Sequence, residues 1–163
     1  MKTLIVYYSR SGVTRRVAQA LAERLGADVE ELVDTKNRSG AVGFAVACKD
    51  AIMKKAVPIK PPAHNPADYD LVVLGSPVWA KTMSSAMRAY LTEQGLGIKL
   101  AAVFCTTHTD GIKNTLDDME QLLSGEVIAR AGFRQKPVKR DEYQADLDAF
   151  INEITAKKTD SYQ

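Results

Sequence analysis

The sequence is poor in the residues on which disulfide frameworks and metal sites depend. Its 163 residues include two cysteines, Cys48 and Cys105, and two histidines. These are too few for a disulfide framework and lack the clustering of a metal site, so we expect no bound metal. No apolar stretch approaches the roughly 20 residues of a membrane span. A strand is predicted within a few residues of Met1, which argues against a signal peptide and favours a reducing, cytoplasmic location.

Strong charge and the common nucleotide-binding signatures are absent as well. The formal net charge is +2, and the basic residues alternate with acidic ones. This charge is too weak to argue for binding to nucleic acid or to an anionic membrane. The sequence also lacks Gly-x-Gly-x-x-Gly and the Gly-Lys-Ser/Thr end of a P-loop, so NAD and ATP are not the first ligands expected. With 45% hydrophobic and 26% charged residues, residues 1–163 are predicted to form one globular domain.

What the sequence does contain is a regular alternation of apolar runs with helical patterns. The predicted strands are Thr3 to Tyr8, Asp28 to Val33, Leu71 to Gly75, Leu100 to Thr106 and Glu126 to Phe133. The predicted helices are Thr14 to Leu25, Val42 to Lys54, Ser84 to Glu93, one that ends near Leu123, and Asp141 to Lys157. This alternation indicates a parallel sheet covered by helices on both faces, with the more polar second strand at an edge. Gly26 is predicted to end the first helix and Ser84 to cap the third.

Three loops are predicted to leave the carboxyl ends of the middle strands, where open parallel sheets bind ligands. They are Ser9 to Thr14, Ser76 to Met83, and Thr106 to Gly111. The first places three hydroxyls around Gly12 at the start of a helix. Free amides of the first helical turn favour negative charge, hydroxyls add donors, and glycine permits a close approach. This pattern predicts a site for a phosphate monoester, the alternative being an ordinary turn with hydroxyl caps.

Two of these loops resemble the flavodoxin family. Ser9-Arg10-Ser11-Gly12-Val13-Thr14 is similar to that family's phosphate loop, Thr/Ser-x-Thr/Ser-Gly-x-Thr. Residues Asp70 to Trp79 are similar to its third strand and the flavin-contacting loop that follows. The resemblance covers nearly the whole chain. It implies a flavodoxin-like α/β fold of the short-chain type, a doubly wound five-stranded parallel sheet with strand order 2-1-3-4-5, and FMN at the point where the winding reverses.

The resemblance also implies which residues contact the cofactor. The phosphate would lie among Ser9, Ser11, Gly12, Val13 and Thr14, with Arg10 either assisting it or solvated. The ribityl chain and one side of the ring would contact Ser76, Pro77, Val78, Trp79 and Ala80. The other side of the ring would border Thr106, Thr107, His108, Asp110 and Gly111.

Three features have both a structural and a functional interpretation. Trp79 is either a core residue or a ring contact, and its place in a loop after a strand favours the ring contact. Lys81 is either a surface lysine or a cation near the flavin pyrimidine edge, where it would raise the potential. His108 and Asp110 either form a proton relay, which makes them weak catalytic candidates, or leave His108 exposed while Asp110 or Thr109 caps the next helix.

The resemblance implies a redox protein, and three functions stay open. The first is an FMN-dependent oxidoreductase, similar to NAD(P)H:quinone reductases, with a reduced nicotinamide or protein donor and a quinone or other small acceptor. The second is a one-electron carrier that docks on a partner enzyme, and the third is a binding module without flavin. Carriers of this family are usually strongly acidic and often have a tyrosine in the third loop; this chain has neither, which favours the oxidoreductase. The segment Asp34 to Gly40 is either a connector or a contact for a substrate or partner, and no oligomeric state is predicted.

Overall fold

The computed structural model describes residues 1–36 and 38–160, and its elements alternate as the sequence predicts. The strands are β1 Thr3–Tyr7, β2 Asp28–Glu31, β3 Leu71–Trp79, β4 Thr82–Met83, β5 Leu100–Thr107 and β6 Glu126–Arg134. The helices are α1 Val13–Leu25, α2 Gly40–Ile52, α3 Ser85–Gln94, α4 Ile112–Glu120, α5 Gln135–Lys139 and α6 Gln144–Asp160. Short 3₁₀ turns lie at Pro66–Asp68 and Gly95–Gly97. In the described part of the chain, no helix is both long and apolar enough to cross a bilayer.

The sheet has the order β2-β1-β3-β5-β6, and its neighbours are all parallel. The short strand β4 lies outside this path and pairs antiparallel with β3. The predicted order 2-1-3-4-5 is therefore confirmed for the five parallel strands, and the polar strand β2 is at an edge. The winding reverses between β1 and β3, which places a crevice beyond the carboxyl ends of these two strands.

Apolar side chains fill both faces of the sheet. Consecutive residues of β1 point to opposite faces, so that Leu4 and Val6 join one core while Ile5 joins the other. The first core contains α3, and the second contains α1 and α6. In the second core, Phe104 packs edge-to-face against Phe133 at a centroid distance of 6.0 Å. Each fully buried side chain of this size contributes about 1.5 to 3 kcal/mol by leaving water, so both helical layers are firmly attached.

The prediction of a loop from Ser76 to Met83 is wrong. Strand β3 continues to Trp79 and then returns as β4 in a tight hairpin. Its two central residues, Ala80 and Lys81, have φ values of 49° and 64°. Positive φ at both positions is typical of a type I′ hairpin turn. The sequence pattern missed this hairpin because Ala-Lys lacks the Asn-Gly or Asp-Gly signature of such turns.

The predicted last helix is wrong at its start. The chain first forms the short helix α5, turns at Asp141 with φ 61°, and begins α6 only at Gln144. The other predicted helix ends lie within three residues of those observed. Within the predicted loop Asp34 to Gly40, Asn37 lies outside the described residues.

Two predicted helix ends are confirmed. Gly26 adopts the left-handed conformation after α1, and its amide donates a hydrogen bond to the Ala22 carbonyl, as expected of a glycine C-cap. Ser84 caps α3 by accepting a hydrogen bond from the Met87 amide at 3.2 Å. The Ser84 amide in turn donates to Ser76 Oγ at 2.9 Å. This pair ties the start of α3 to the end of β3.

Candidate functional site

The carboxyl ends of β1, β3 and β5 surround one cavity of about 280 Å³. This volume is close to the lower bound of about 300 Å³ for small-molecule sites. The cavity is lined by Arg10, Ser11, Val13, Thr14, Phe44, Pro77, Val78, Trp79, Thr106, Thr107, His108 and Gln135. All three of the predicted segments contribute to its wall, as expected at the point where the winding reverses.

At one end of the cavity, the loop after β1 presents the N-terminus of α1. Gly12 is the N-cap residue with φ 92°, and no described side chain caps the first turn. A Cβ here would meet only Arg15 Nη1 at 3.9 Å, so backbone conformation rather than space favours glycine. The Gly12 amide donates to Ser9 Oγ at 3.0 Å, and buried Thr14 Oγ1 lies 2.8 Å from Thr106 Oγ1. The uncapped amides, with the Ser11 hydroxyl beside them, form a donor set for an anion.

Of the three arginines around this turn, one lines the cavity. Arg15 pairs with Glu31 at 2.6 Å, and Arg16 lies 3.8 Å from Asp141. Arg10 lines the cavity wall. Cations near a helix N-terminus are unfavourable without a negative partner. Arg15 and Arg16 have a negative partner in Glu31 and Asp141. For Arg10, an anion bound in the cavity would be that partner.

Aromatic and aliphatic side chains form the opposite wall. Trp79 is only 3% exposed and packs edge-to-face on Tyr8, with centroids 5.3 Å apart. The Arg38 guanidinium lies 5.9 Å from the Trp79 ring centroid. Burial is the main cause that raises the pKa of Tyr8 to about 12. Trp79 is thus a core residue whose remaining surface faces the cavity.

Two lining residues were not predicted from the sequence. Phe44, on α2, is 45% exposed and stacks beneath the Arg10 guanidinium at 5.0 Å. Gln135 begins α5, a helix that the sequence pattern did not indicate. Both come from segments outside the three loops. The available signal was the one large aromatic ring within α2, but nothing local indicates where α2 docks.

The third loop is held by Thr107 rather than by a helix cap. Thr107 Oγ1 donates to the Asp110 carbonyl at 3.0 Å and accepts from the Thr109 amide at 3.2 Å. The expectation that Thr109 or Asp110 caps α4 is wrong, because Gly111 is the N-cap with φ 92°. An added Cβ at Gly111 would come within 2.9 Å of the Lys81 Cα atom. The third loop therefore packs directly on the β3–β4 turn.

The charged residues of the rim pair with each other. Lys81 Nζ lies 3.4 Å from Asp110 Oδ2, and both side chains are more than half exposed. The described hydrogen bond of the Asp110 carboxylate is with Thr109 Oγ1 at 3.4 Å. His108 is exposed and lines the cavity. Within the described residues, the Asp110 carboxylate thus contacts Lys81 and Thr109 and makes no hydrogen bond to His108.

A comparison of the sequence with known protein families agrees with this geometry. The model of the family described as flavodoxin matches residues 2–150. The chain belongs to the flavodoxin family. The match covers the whole sheet and all the loops around the cavity.

Solved structures of other flavodoxins and flavoproteins have the same fold. The flavoprotein from Lactobacillus acidophilus NCFM, solved in complex with FMN, has 21% identity and a TM-score of 0.65, covering 85% of this chain and 97% of that one. Oxidised Flavodoxin 2 from Bacillus cereus has 15% identity and a TM-score of 0.62, covering 96% of this chain and 99% of that one. The flavodoxin of Streptococcus pneumoniae TIGR4 has 15% identity and a TM-score of 0.58, with the same coverage. The predicted flavodoxin-like fold is confirmed.

Several residues predicted for this flavodoxin-family site do not line the cavity. They are Ser9, Gly12, Ser76, Ala80, Asp110 and Gly111, together with the weak candidate Lys81. Ser9 and Gly12 shape the first turn. Ser76 is fully buried and joins β3 to α3. Ala80 occupies the hairpin turn with its backbone in the left-handed region.

The cysteines of this flavodoxin-family chain lie outside the cavity lining. Among the residues that the structure describes, no group of three or more His, Cys, Asp or Glu side chains could hold a metal. Cys105 is fully buried, and that burial raises the pKa of its thiol to about 12. Burial also raises the pKa of Cys48. Both thiols are therefore poor nucleophiles.

Proposed function

We propose that this protein binds FMN and is an oxidoreductase that passes electrons from a reduced nicotinamide or a protein donor to a quinone or other small acceptor. The observation that carries the proposal is a cavity with an uncapped helix N-terminus at one end and apolar rings along its side. The Lactobacillus acidophilus relative was solved in complex with FMN, which supports the choice of cofactor.

The polar end of the cavity fits a phosphate monoester. The amides of the first turn of α1 and the Ser11 hydroxyl are donors, which suit an acceptor-only dianion. Arg10 adds a positive charge on the same wall. Thr14 contributes less directly, because its hydroxyl is shared with Thr106. The helix dipole alone favours an anion here by about 0.3 to 1 kcal/mol.

The remainder of the cavity fits a flat heteroaromatic ring. Phe44, Val78 and Trp79 offer apolar surface that excludes water from a bound ring, while Thr107 and Gln135 offer hydrogen-bonding groups to ring heteroatoms. When bound, FMN supplies the electron transfer, and the protein supplies binding and tuning. This chain holds the charges of Lys81 and Asp110 outside the lining, at the rim.

The net charge of the chain and the open rim of the cavity favour an oxidoreductase over a carrier. A net charge of +2 gives the chain as a whole no negative field with which to steer toward a basic partner. Exposed His108 and half-exposed Phe44 leave the rim open to a small molecule. The carrier function stays the second candidate, because family membership supports it equally.

Binding is tested by titrating the protein with FMN and with riboflavin, which lacks the phosphate. We expect FMN to bind more tightly. Ser11→Asp should weaken FMN binding by at least about tenfold through charge repulsion and abolish the preference over riboflavin. Ser124→Asp, which adds the same charge at an exposed position remote from the cavity, is the control. Equal affinity for the two flavins in the unmodified protein would refute the phosphate site.

Turnover is tested anaerobically with the FMN-loaded protein. Loss of flavin absorbance with NADH or NADPH alone, followed by recovery with a soluble quinone, would support the oxidoreductase. Loss of absorbance only when a reductase protein is added would support the carrier and contradict our proposal.

A further inference from the structure

The outward side of α2 is apolar, which is unusual for a surface helix. The side that faces the protein carries the buried residues Gly43, Ala47, Asp50 and Ala51. The rest of the helix circumference, with the residue after the helix, exposes Val42 at 79%, Ile52 at 67% and Met53 at 65%, and the less exposed Phe44 and Val46 lie at its two borders with the buried side. We call these five side chains the outer face of α2. Isolated exposed apolar residues are ordinary, whereas a contiguous apolar patch indicates an interaction surface.

The exposed charges on α2 and on the segment that follows it, residues 41–60, are of one sign. Residues 41–60 contain the lysines Lys49, Lys54, Lys55 and Lys60, and a single acidic residue, Asp50. Asp50 is buried and its carboxylate pairs with Arg38 at 2.8 Å, so it does not offset the exposed lysines. Lys54 pairs with Asp118, while Lys49 and Lys55 make no ion pair within the described residues. The nearly neutral charge of the whole chain thus conceals a local basic and apolar segment.

We propose that the outer face of α2 docks on the surface of a lipid bilayer that contains anionic lipids. An apolar helix face flanked by lysines is the pattern of helices that lie in the membrane interface, where apolar side chains enter the acyl boundary. The lysine stems extend along the apolar surface and place their ammonium groups among the lipid phosphates. The attraction of the lysines to the lipid phosphates and the burial of the apolar side chains then act at the same surface of the protein.

A second copy of this chain fits the same face less well. A two-fold interface would bring the outer face against itself. Lys49 lies on the exposed side of the helix among these apolar residues, and no exposed acid in residues 41–60 is available to neutralise it. Removing it from water without an opposite charge is costly. An anionic lipid surface supplies that charge, and a copy of the same face does not.

Docking in this way would turn the cavity toward the membrane. Phe44 belongs to the outer face and also lines the cavity, so the two surfaces are contiguous. The inference is independent of the redox chemistry proposed above, because it rests on the surface of α2 alone. It adds a peripheral membrane site to a chain in which no described helix spans a membrane.

The experiment is co-sedimentation of the full chain with vesicles of phosphatidylcholine alone or of equal parts phosphatidylcholine and phosphatidylglycerol. We expect binding to the vesicles with phosphatidylglycerol, at least about tenfold weaker binding without it, and weakening by salt. Val42→Ser/Ile52→Ser should reduce binding by about tenfold or more. Leu96→Ser, at a residue 80% exposed and outside α2, is the matched control and should bind normally.

A second pair of variants tests the charges without altering the apolar residues. Lys49→Gln/Lys55→Gln should reduce binding to the anionic vesicles by about tenfold, while Lys99→Gln/Lys139→Gln, with the same loss of charge from exposed positions elsewhere, should have little effect. Failure of the unmodified protein to sediment with either vesicle would overturn the proposal. So would equal effects of test and control variants. Self-association in the absence of lipid that Val42→Ser/Ile52→Ser abolishes would assign the face to a second copy and also overturn it.

Discussion

Replacing Arg38 should destabilise the protein strongly, because its charge is buried among carboxylates. The side chain is 3% exposed; Nε donates to Asp34 at 2.8 Å and Nη1 to Asp50 at 2.8 Å, and these acids are 2% and 8% exposed. Lys36 gives Asp50 a second partner at 3.2 Å. Arg38→Met retains much of the apolar volume but leaves the two carboxylates without their shared cation. We expect a loss of about 3 to 5 kcal/mol in the free energy of unfolding at neutral pH, a large part of the 5 to 15 kcal/mol typical of a domain.

The pH dependence of this loss follows from Asp50. Burial raises the pKa of its carboxyl, but the hydrogen bonds from Arg38 and Lys36 outweigh burial and hold that pKa below its ordinary value. A lowered pKa contributes stability that is fully present above the unfolded value near 3.9 and is lost as the pH falls through the folded value. In Arg38→Met, the hydrogen bond and the charge of Arg38 no longer lower the pKa of Asp50, so that burial raises it. The difference in stability between the two proteins should therefore narrow as the pH falls from 7 toward about 4.

Urea titration without FMN at several pH values measures both effects, provided that the slope against urea concentration is unchanged. The control is Arg24→Met, which removes an arginine whose ion pair with Asp148 is about half exposed. Exposed pairs of this kind contribute about 0 to 1 kcal/mol. Our reasoning would be refuted if Arg38→Met cost no more stability than the control, or if the difference stayed constant from neutral to acid pH.

Two further predictions concern packing and capping, and thermal or urea unfolding checks both. Gly75→Ala should destabilise the protein by about 1 to 3 kcal/mol, because a Cβ would lie 2.1 Å from Phe104 Cζ. The control is Gly97→Ala, where nothing lies within 4 Å of the added Cβ, and its stability should differ little from that of the unmodified protein. Equal losses of stability in the two variants would contradict the packing argument. Ser84→Ala should cost about 1 kcal/mol through loss of the cap on the Met87 amide, and an unchanged stability would show that the cap contributes nothing.

The strands and helices, and the first of the three loops of the site, follow from local rules. Apolar runs that alternate with helical patterns predicted the five parallel strands, whereas their order followed from the resemblance to the flavodoxin family; the observed sheet confirms both. The first loop was predictable because all of its features, a strand, hydroxyls around Gly12 and a helix, are consecutive in the sequence. The hairpin at Ala80 and Lys81 was not, because its turn residues have no intrinsic preference for positive φ. Pairing with β4 imposes that conformation, and pairing is a property of the folded sheet.

Helix α2 shows why the remaining wall could not be predicted. Pattern reasoning assumes that a helix buries its largest apolar residues, yet α2 buries small ones and exposes Val42, Phe44 and Ile52. The reason is close backbone contact: a Cβ at Gly43 would lie 2.4 Å from the Arg38 carbonyl carbon. Small residues let α2 approach the buried Arg38 and its carboxylates, and its large side chains have to point outward. One consequence is the aromatic ring at the cavity, and another is the apolar face that we assign to a lipid surface; both depend on the same arginine, so Arg38→Met should weaken flavin binding and vesicle binding together.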